Sequence, residues 1–378
     1  MRNSRLSRPA WASRDAIRAA GVAESYFRSL PDTTNATYSE LRELWEAAGE
    51  AGLLCNWVPA EYGGMDVGQD VLLITLREQV RFGQWWFGNT VHSGVVPALL
   101  MSFGSEEQKC RYLPPMANGS CVAGFALTES SGGSNLAGMT TCAVRHGNGY
   151  ILTGEKIFVT NGMCADVLIV AARSLGGSPG TALFLVATDH PGVSRTPIRM
   201  GVGQESADLA AFHFDGVQLD MSDLLVDFDM GLPALLDKLS WERLLIAVMA
   251  CASAEYAIKI TRGYLDRSSQ SGPDLSAVGG VRALFADCMV DFFAAKAVVD
   301  ATVTDYFAGS ADSAAIAITK FLSTETAFRV ADRCAQLHGA AGFTADSTIG
   351  MLLRDSRSAR VYGGANEVMK EIALQYEP

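Results

Sequence analysis

The chain of 378 residues is short of cations: 30 Lys and Arg stand against 41 Asp and Glu, a formal net charge of −11 with a pI near 5.0. That balance argues against nucleic acid or an anionic membrane surface as the main partner, because both are met by clustered positive charge. It leaves room for a phosphorylated small molecule, which a few placed donors can hold. The eight cysteines (Cys55, Cys110, Cys121, Cys142, Cys164, Cys251, Cys288 and Cys334) include no C-x-x-C pair, and no His lies near two of them in sequence, so no zinc site is expected. The first 20 residues hold Arg2, Arg5, Arg8, Arg14 and Arg18 without an apolar run, which reads as a ragged basic start rather than a secretory signal. The cysteines then read as small core residues in a reducing compartment, and a cytoplasmic location is expected. No run approaches the roughly 18 apolar residues of a membrane span, so a soluble protein is expected. Alternating βαβ units are missing, and no G-x-G-x-x-G follows a strand, which disfavours a nicotinamide enzyme of the usual kind. At 49% hydrophobic and 19% charged residues, the composition also excludes collagen, long disorder and a disulfide scaffold.

What is present falls into three stretches. From about Ser13 to Arg111 the pattern is helical: Leu41, Leu44, Trp45 and Ala48 recur at helical spacing, and Ala51-Gly52 closes that helix. A Pro/Gly-punctuated turn over 57–66 precedes a second helix over 67–82. Ser105 with Gln108 reads as a capped helix start. Near Cys121 the segments become short, β-branched and separated by Gly, Asn or Asp, which predicts strands as far as about Leu225. His146-Gly147-Asn148-Gly149 predicts a tight hairpin turn. From Gly231 helices return, over 241–266, 278–307, 311–334 and 366–376, and their Ala-rich middle permits close packing as in a bundle.

Four segments carry the chemistry. In 125–135, strand residues from Phe125 lead through Thr128 and Glu129 into a Gly/Ser turn ending at Ser134-Asn135, a concavity of amides and hydroxyls suited to a phosphate or a heterocycle edge; the plainer reading is a loop. In 154–162, Phe158 and Thr160 alternate on a strand before Asn161-Gly162, so an aromatic walls a flat ring while a hydroxyl bonds its edge; the plainer reading is a hairpin. Gln336-Leu337-His338-Gly339 leaves a helix into a Gly-rich turn, with Gln336 able to offer an amide to a pyrophosphate and His338 read as a packed histidine. Arg354-Asp355-Ser356-Arg357 reads as a structural ion-pair network, and Gly363-Gly364 lets backbone approach a ligand before the last helix.

At these segments, in this order and spacing, the sequence resembles the acyl-CoA dehydrogenase family over nearly its whole length. That family shows a T-E-x-x-x-G-S-D-like loop, G-x-K-x-(W/F)-(I/V)-T-N-G, Q-x-H-G-G-x-G and a terminal G-G-T-N-E, matched here by 128–135, 154–162, 336–342 and 363–367. The resemblance implies a multidomain α+β fold: an N-terminal α-helical domain over 1–120, a central β-barrel or sandwich domain over 121–229, and a C-terminal four-helix-bundle domain over 230–378. It implies FAD between the β domain and the bundle, with Phe125, Leu127, Thr128, Phe158 and Thr160 facing the isoalloxazine and Ser134 and Gln336 reaching the phosphates. Arg267, Gly339, Gly363 and Gly364 complete the cofactor set, and Ser134 and Arg243 are assigned to substrate. It further implies an acyl thioester on CoA or an acyl carrier protein, an electron acceptor such as electron-transfer flavoprotein, and a homotetramer or dimer.

In this chemistry a carboxylate takes the α-proton while hydride leaves Cβ for flavin N5. One branch of the family carries its Glu at the position of Gly363, which excludes that branch here. The long-chain and isovaleryl-type branch carries it on the helix after the β domain, where this chain has Ser240-Trp241-Glu242-Arg243. Glu242 is the expected base, Glu255 the alternative; the plainer reading of Glu242 is an acid complementing the start of a helix. The family's R-x-x-F-G and later Gln, which reach the adenosine side, have become Arg267-Ser268-Ser269-Gln270-Ser271 and Gly279, and the Thr of the terminal turn is Ala365. Two other functions stay open on the same fold: a flavin monooxygenase, and a half-site subunit of a hetero-oligomer.

Overall fold

A computed structural model describes residues 9–31, 33, 36–175, 180–271 and 275–375, the side chains at 137, 268–271 and 276 excepted. Arg2, Arg5, Arg8 and the side chains of Gln270 and Ser271 therefore lie outside the described residues.

The N-terminal stretch holds α1 (Arg14–Ser29), α2 (Tyr38–Glu50), α3 (Asp70–Arg81), α4 (Val96–Phe103) and α5 (Glu106–Ala117). Helix α2 starts on a reciprocal cap between Thr37 and Glu40, and buries Leu41, Trp45 and Ala48 along one face. Trp45 stacks on Phe87 at 4.2 Å between ring centroids, a contact worth about 0.5–1.5 kcal/mol beyond its area. Helix α5 repeats the device with Ser105 and Gln108, as its sequence predicts. Between α3 and α4, residues Thr90–Val95 form one turn of π-helix, a form concentrated at functional sites.

The middle stretch holds β1 (Ala123–Ala126), β2 (Cys142–His146), β3 (Gly149–Thr160), β4 (Val167–Ser174), β5 (Thr181–Ala187), β6 (Val193–Pro197), β7 (Leu209–Asp220) and β8 (Leu224–Val226). They form one eight-stranded sheet in the order β6-β7-β3-β2-β4-β5-β8, with β1 beside β4 in parallel. The β2–β3 hairpin pairs His146 with Gly149 around Gly147 at φ 58°, the tight turn predicted there. Two bulges bend β3 against β7, and Leu152, Val170, Phe184, Phe212 and Phe214 share one core that the curved sheet encloses. The hairpin reading of 154–162 is corrected: β4 lies beside β1 and β2 rather than returning along β3. Asn161, at φ 64°, turns the chain away, and its amide donates to the carbonyls of Gly88 and Ala123, both at 3.1 Å.

The C-terminal stretch packs the long helices α6 (Gly231–Ser271), α7 (Gly279–Phe307) and α8 (Ser313–His338), closed by α9 (Thr348–Ser358) and α10 (Asn366–Ala373). Helix α6 begins at Gly231, well before the predicted 241, because its first turns carry Pro233 and leave the apolar Leu232 and Leu236 exposed, which blurs the amphipathic stripe that marks a surface helix. Residues Gly231–Arg267 are long and apolar enough to cross a bilayer by length and composition, although Glu255 and Lys259 interrupt the apolar run. Its most apolar window is 78% buried inside the protein, so it is the core helix of the bundle. Trp241, 1% exposed, stacks on Tyr306 at 5.1 Å and fixes the rotation of α6 against α7.

Candidate active site

Glu242 sits three turns inside α6, so the reading of it as a helix-start acid fails: the dipole acts within the first turn. Its carboxyl carbon lies 3.9 Å from where a Cβ on Gly363 would stand, and it makes no hydrogen bond or ion pair among the described residues. Burial pushes its pKa up, and the nearby cations Arg243 and Lys320 pull it down; burial wins. Arg243 is 6% exposed and donates from Nε to Gly363 O at 3.4 Å. Gly363 and Gly364 take φ of 63° and 93°, the left-handed region open to glycine, which brings their backbone against α6. Lys320, on α8 and fully buried, donates to Gly364 O at 2.8 Å and to Asn366 Oδ1 at 3.0 Å.

A second group comes from the sheet. Phe125 and Leu127 pack half-buried against the core shared with α4 and α5, and Thr128 is half-buried beside them. Phe158 stands 51% exposed at φ 55°, on the bulge between Lys156 and Val159. A phenylalanine in the left-handed region costs on the order of 1–3 kcal/mol, and such outliers gather at ligand sites. Thr160 ends β3. The two segments are locked by a buried ion pair that sequence reasoning did not find. Lys156 Nζ lies 2.8 Å from Glu129 Oε1 and donates to Leu127 O at 3.0 Å, while Glu129 also accepts from the amides of Thr140 and Thr141 at 2.6 and 2.9 Å. Burial alone would raise the Glu129 pKa, but Lys156 and the two threonines hold it down to about 2.

The π-helical turn Thr90–Val95 joins the two groups. His92 accepts from Ala123 N at Nδ1, 3.2 Å, so its Nε2 carries the proton given to Met116 O at 3.0 Å. Burial drops its pKa to about 4 and keeps it neutral. Toward α6, Thr90 Oγ1 contacts Met249 Sδ at 3.1 Å.

Other expected site residues lie elsewhere. Ser134 is exposed on the loop after β1. Arg267, exposed Gln336 and Gly339 gather at the far ends of α6 and α8, beside His338, which stacks on Tyr264 at 4.2 Å and bonds Thr261 at 3.1 Å as a packed histidine. Helix α6 puts Arg267 roughly 38 Å from Glu242 at about 1.5 Å per residue. Within one chain the two ends are therefore separate places. Glu255 faces another set of partners, Arg77 at 2.8 Å and Arg81 at 3.9 Å, and does not share the space of Glu242. In the Arg-Asp-x-Arg run, Arg354 pairs with Glu205 at 3.2 Å and Asp355 accepts from Gln204 N at 2.5 Å, so the network ties α9 to the loop before β7 rather than closing on itself. Lys320 was also missed, although its spacing from Ile316, Ser323, Thr324 and Ala327 places a cation on a buried stripe.

Models of the acyl-CoA dehydrogenase N-terminal, middle and C-terminal domains match residues 16–120, 124–217 and 229–375. The mitochondrial long-chain specific acyl-CoA dehydrogenase of Rattus norvegicus is 33% identical over 337 residues, covering 88% of this chain and 78% of that protein. The solved acyl-CoA dehydrogenase of Geobacillus kaustophilus superposes with a TM-score of 0.92 at 28% identity, covering 97% of this chain and 99% of that one. That of Bacillus anthracis, solved with FAD, gives 0.90 at 28% identity, covering 97% of this chain and 66% of that one. The chain belongs to the acyl-CoA dehydrogenase family, FAD-dependent oxidoreductases acting on CH–CH bonds.

Proposed function

We propose that this enzyme dehydrogenates an acyl thioester between Cα and Cβ, with Glu242 taking the α-proton. FAD-dependent acyl-CoA dehydrogenation is the activity of its family, and the finer assignments below are ours. The single observation that carries them is the meeting of Glu242 with the Gly363–Gly364 turn.

The residues fit the cofactor. Phe158 keeps an exposed ring on a strained bulge, where a flat heterocycle would cover it, and the Lys156–Glu129 pair holds the backbone of Leu127 and Thr128 beside it. Phe125, Leu127, Thr128, Phe158 and Thr160 would hold the ring, and exposed Ser134 the phosphates. When bound, FAD supplies the two-electron acceptor for the hydride that leaves Cβ.

A base is useful when its proton affinity suits the working pH, and burial moves Glu242 upward in that direction. Its carboxylate has no internal donor, so both oxygens remain able to accept the α-proton. The amides of Gly363 and Gly364 donate to no acceptor among the described residues. We assign them to the thioester carbonyl: hydrogen bonds there delocalise the charge that builds as the α-proton departs. Arg243, drawn against Gly363 O, orients the turn and adds positive charge to the same side.

The separation of Arg267, Gln336 and Gly339 from Glu242 supports a homo-oligomer in which one chain offers that end to a neighbour's cofactor. CoA and an acyl carrier protein are both compatible thioester carriers, and electron-transfer flavoprotein is the expected electron acceptor.

The test is anaerobic mixing of the flavinated enzyme with a panel of acyl-CoA thioesters. The flavin band should bleach with a preferred chain length, and Glu242→Gln should slow bleaching by about 10²–10⁴-fold. Flavin that stays oxidised with every thioester, or bleaches as fast in the variant, overturns the assignment.

A further inference from the structure

We propose that Lys320 is a positioning residue of this active site: its buried ammonium ties down the Gly363–Gly364 turn that meets Glu242 and lends positive charge to that side of the carboxylate. The inference rests on reading Glu242 as the base.

Lys320 lies in the middle of α8 with its side chain fully buried, among residues that otherwise pack as small apolar or hydroxylic side chains. A buried ammonium is costly unless charge or hydrogen bonds compensate it. Its two acceptors, Gly364 O and Asn366 Oδ1, are neutral, and its third N–H has no acceptor among the described residues. Asn366 is itself held, donating to Thr324 Oγ1 at 3.1 Å and Glu325 Oε1 at 2.8 Å. Lys320 thus grips the turn from α8 while Arg243 grips it from α6, and the turn is kept where it leaves room for the Glu242 carboxyl.

The charges around this point sort cleanly. From α6 come Glu242 and Arg243, from α8 Lys320 and Glu325, from α9 Asp355, whose carboxyl burial raises to about 6, from the start of α10 Glu367, and Tyr362 precedes the turn. Glu325 is already matched by Arg360 Nε at 2.7 Å, and Glu367 is exposed to water. Half-buried Glu242 and buried Asp355 are left without a bonded cation, and Arg243 and Lys320 are two buried cations without a bonded carboxylate. Arg243 first and Lys320 second oppose the desolvation that raises the Glu242 pKa, and Lys320, whose pKa burial lowers to about 8, carries its charge across the acidic range. A purely structural role would be filled by any side chain of matching volume; the charge would be dispensable.

The experiment measures flavin reduction by saturating acyl-CoA against pH, in full-length flavinated enzyme, for the parent, Lys320→Met, Lys320→Gln, Lys320→Arg and Glu242→Gln. Removing the charge should move the acidic limb to higher pH by about one unit or more, in both Met and Gln variants, and Arg should return it toward the parent. Lys320→Gln keeps a donor for the turn, so it reads the charge even where Lys320→Met fails to fold. A limb that stays in place in a folded Gln or Met variant, with Glu242→Gln inactive, overturns the role of Lys320 alone. Reduction at the parental rate by Glu242→Gln overturns the assignment of the base instead.

Discussion

The Glu242 carboxyl carbon stands 3.9 Å from the point a Cβ on Gly363 would occupy, although the two residues are 121 positions apart in the chain. A helix and a turn thus converge on one small volume, and either could present a carboxylate to it. Here the helix does, and glycine at the turn keeps the volume open.

Filling that volume should disable the enzyme. A Cβ at Gly363 would meet Ile246 Cδ1 at 2.2 Å, and φ of 63° costs an L-residue about 1–2 kcal/mol. Gly363→Ala is expected to lower the denaturation midpoint modestly and to slow flavin reduction at least about tenfold, one tenfold step being about 1.4 kcal/mol of barrier. Equilibrium unfolding and stopped-flow absorbance of the same preparation separate the two effects, and an alanine variant of parental rate would refute the shared volume.

The pH dependence has a definite sign. The carboxyl of Glu242 is raised by burial above the ordinary carboxylate range, and a base works only when ionised. Flavin reduction should therefore be slow in acid and rise through a pKa above about 4.3 to a plateau. A limb at or below that value would mean that the reacting base is better solvated than Glu242.

The buried pair beneath the ring-facing loop should be felt in stability. Glu129 has a folded pKa near 2, below its unfolded value, so its contribution is complete above about 4.3 and is lost as pH falls through the folded value. Lys156→Met leaves that carboxylate buried without its cation, and a loss of about 3–5 kcal/mol is expected in urea unfolding. Because Lys156 also holds Leu127 O, FAD affinity should fall with it. A variant with an unchanged midpoint would show the pair to be incidental.

Phe158 should behave in the opposite way. Its ring is half exposed and its backbone strained, so Phe158→Ala should not destabilise the flavin-free protein. It should weaken FAD by roughly tenfold, the scale of one aromatic contact. Flavin titration and thermal unfolding of the flavin-free protein test both halves, and loss of stability without loss of affinity would make Phe158 a structural residue.

Much of this was legible in residue order. The capped helices at Thr37 and Ser105 and the hairpin at Gly147 follow from local chemistry that acts within a few residues. The start of helix α6 is hidden from periodicity because its wet face carries the apolar Leu232 and Leu236 and Pro233 rather than polar residues. The 154–162 segment was misjudged as a hairpin because a turn residue such as Asn161 marks where a strand ends, not which neighbour the next strand joins.

The linear chain determined by itself the helical–β–helical order, the turns, and the four spaced motifs that identify the family, since each depends on short-range sterics or on residue identity alone. Only tertiary structure decided that Glu242 and Lys320 each meet the Gly363–Gly364 turn, that Glu129 and Lys156 lock the ring-facing loop, and that Arg267 stands a helix length away from the proposed base. Those are contacts between distant segments, set by how α6, α8 and the sheet pack, and burial gives their charges energies that water would have screened.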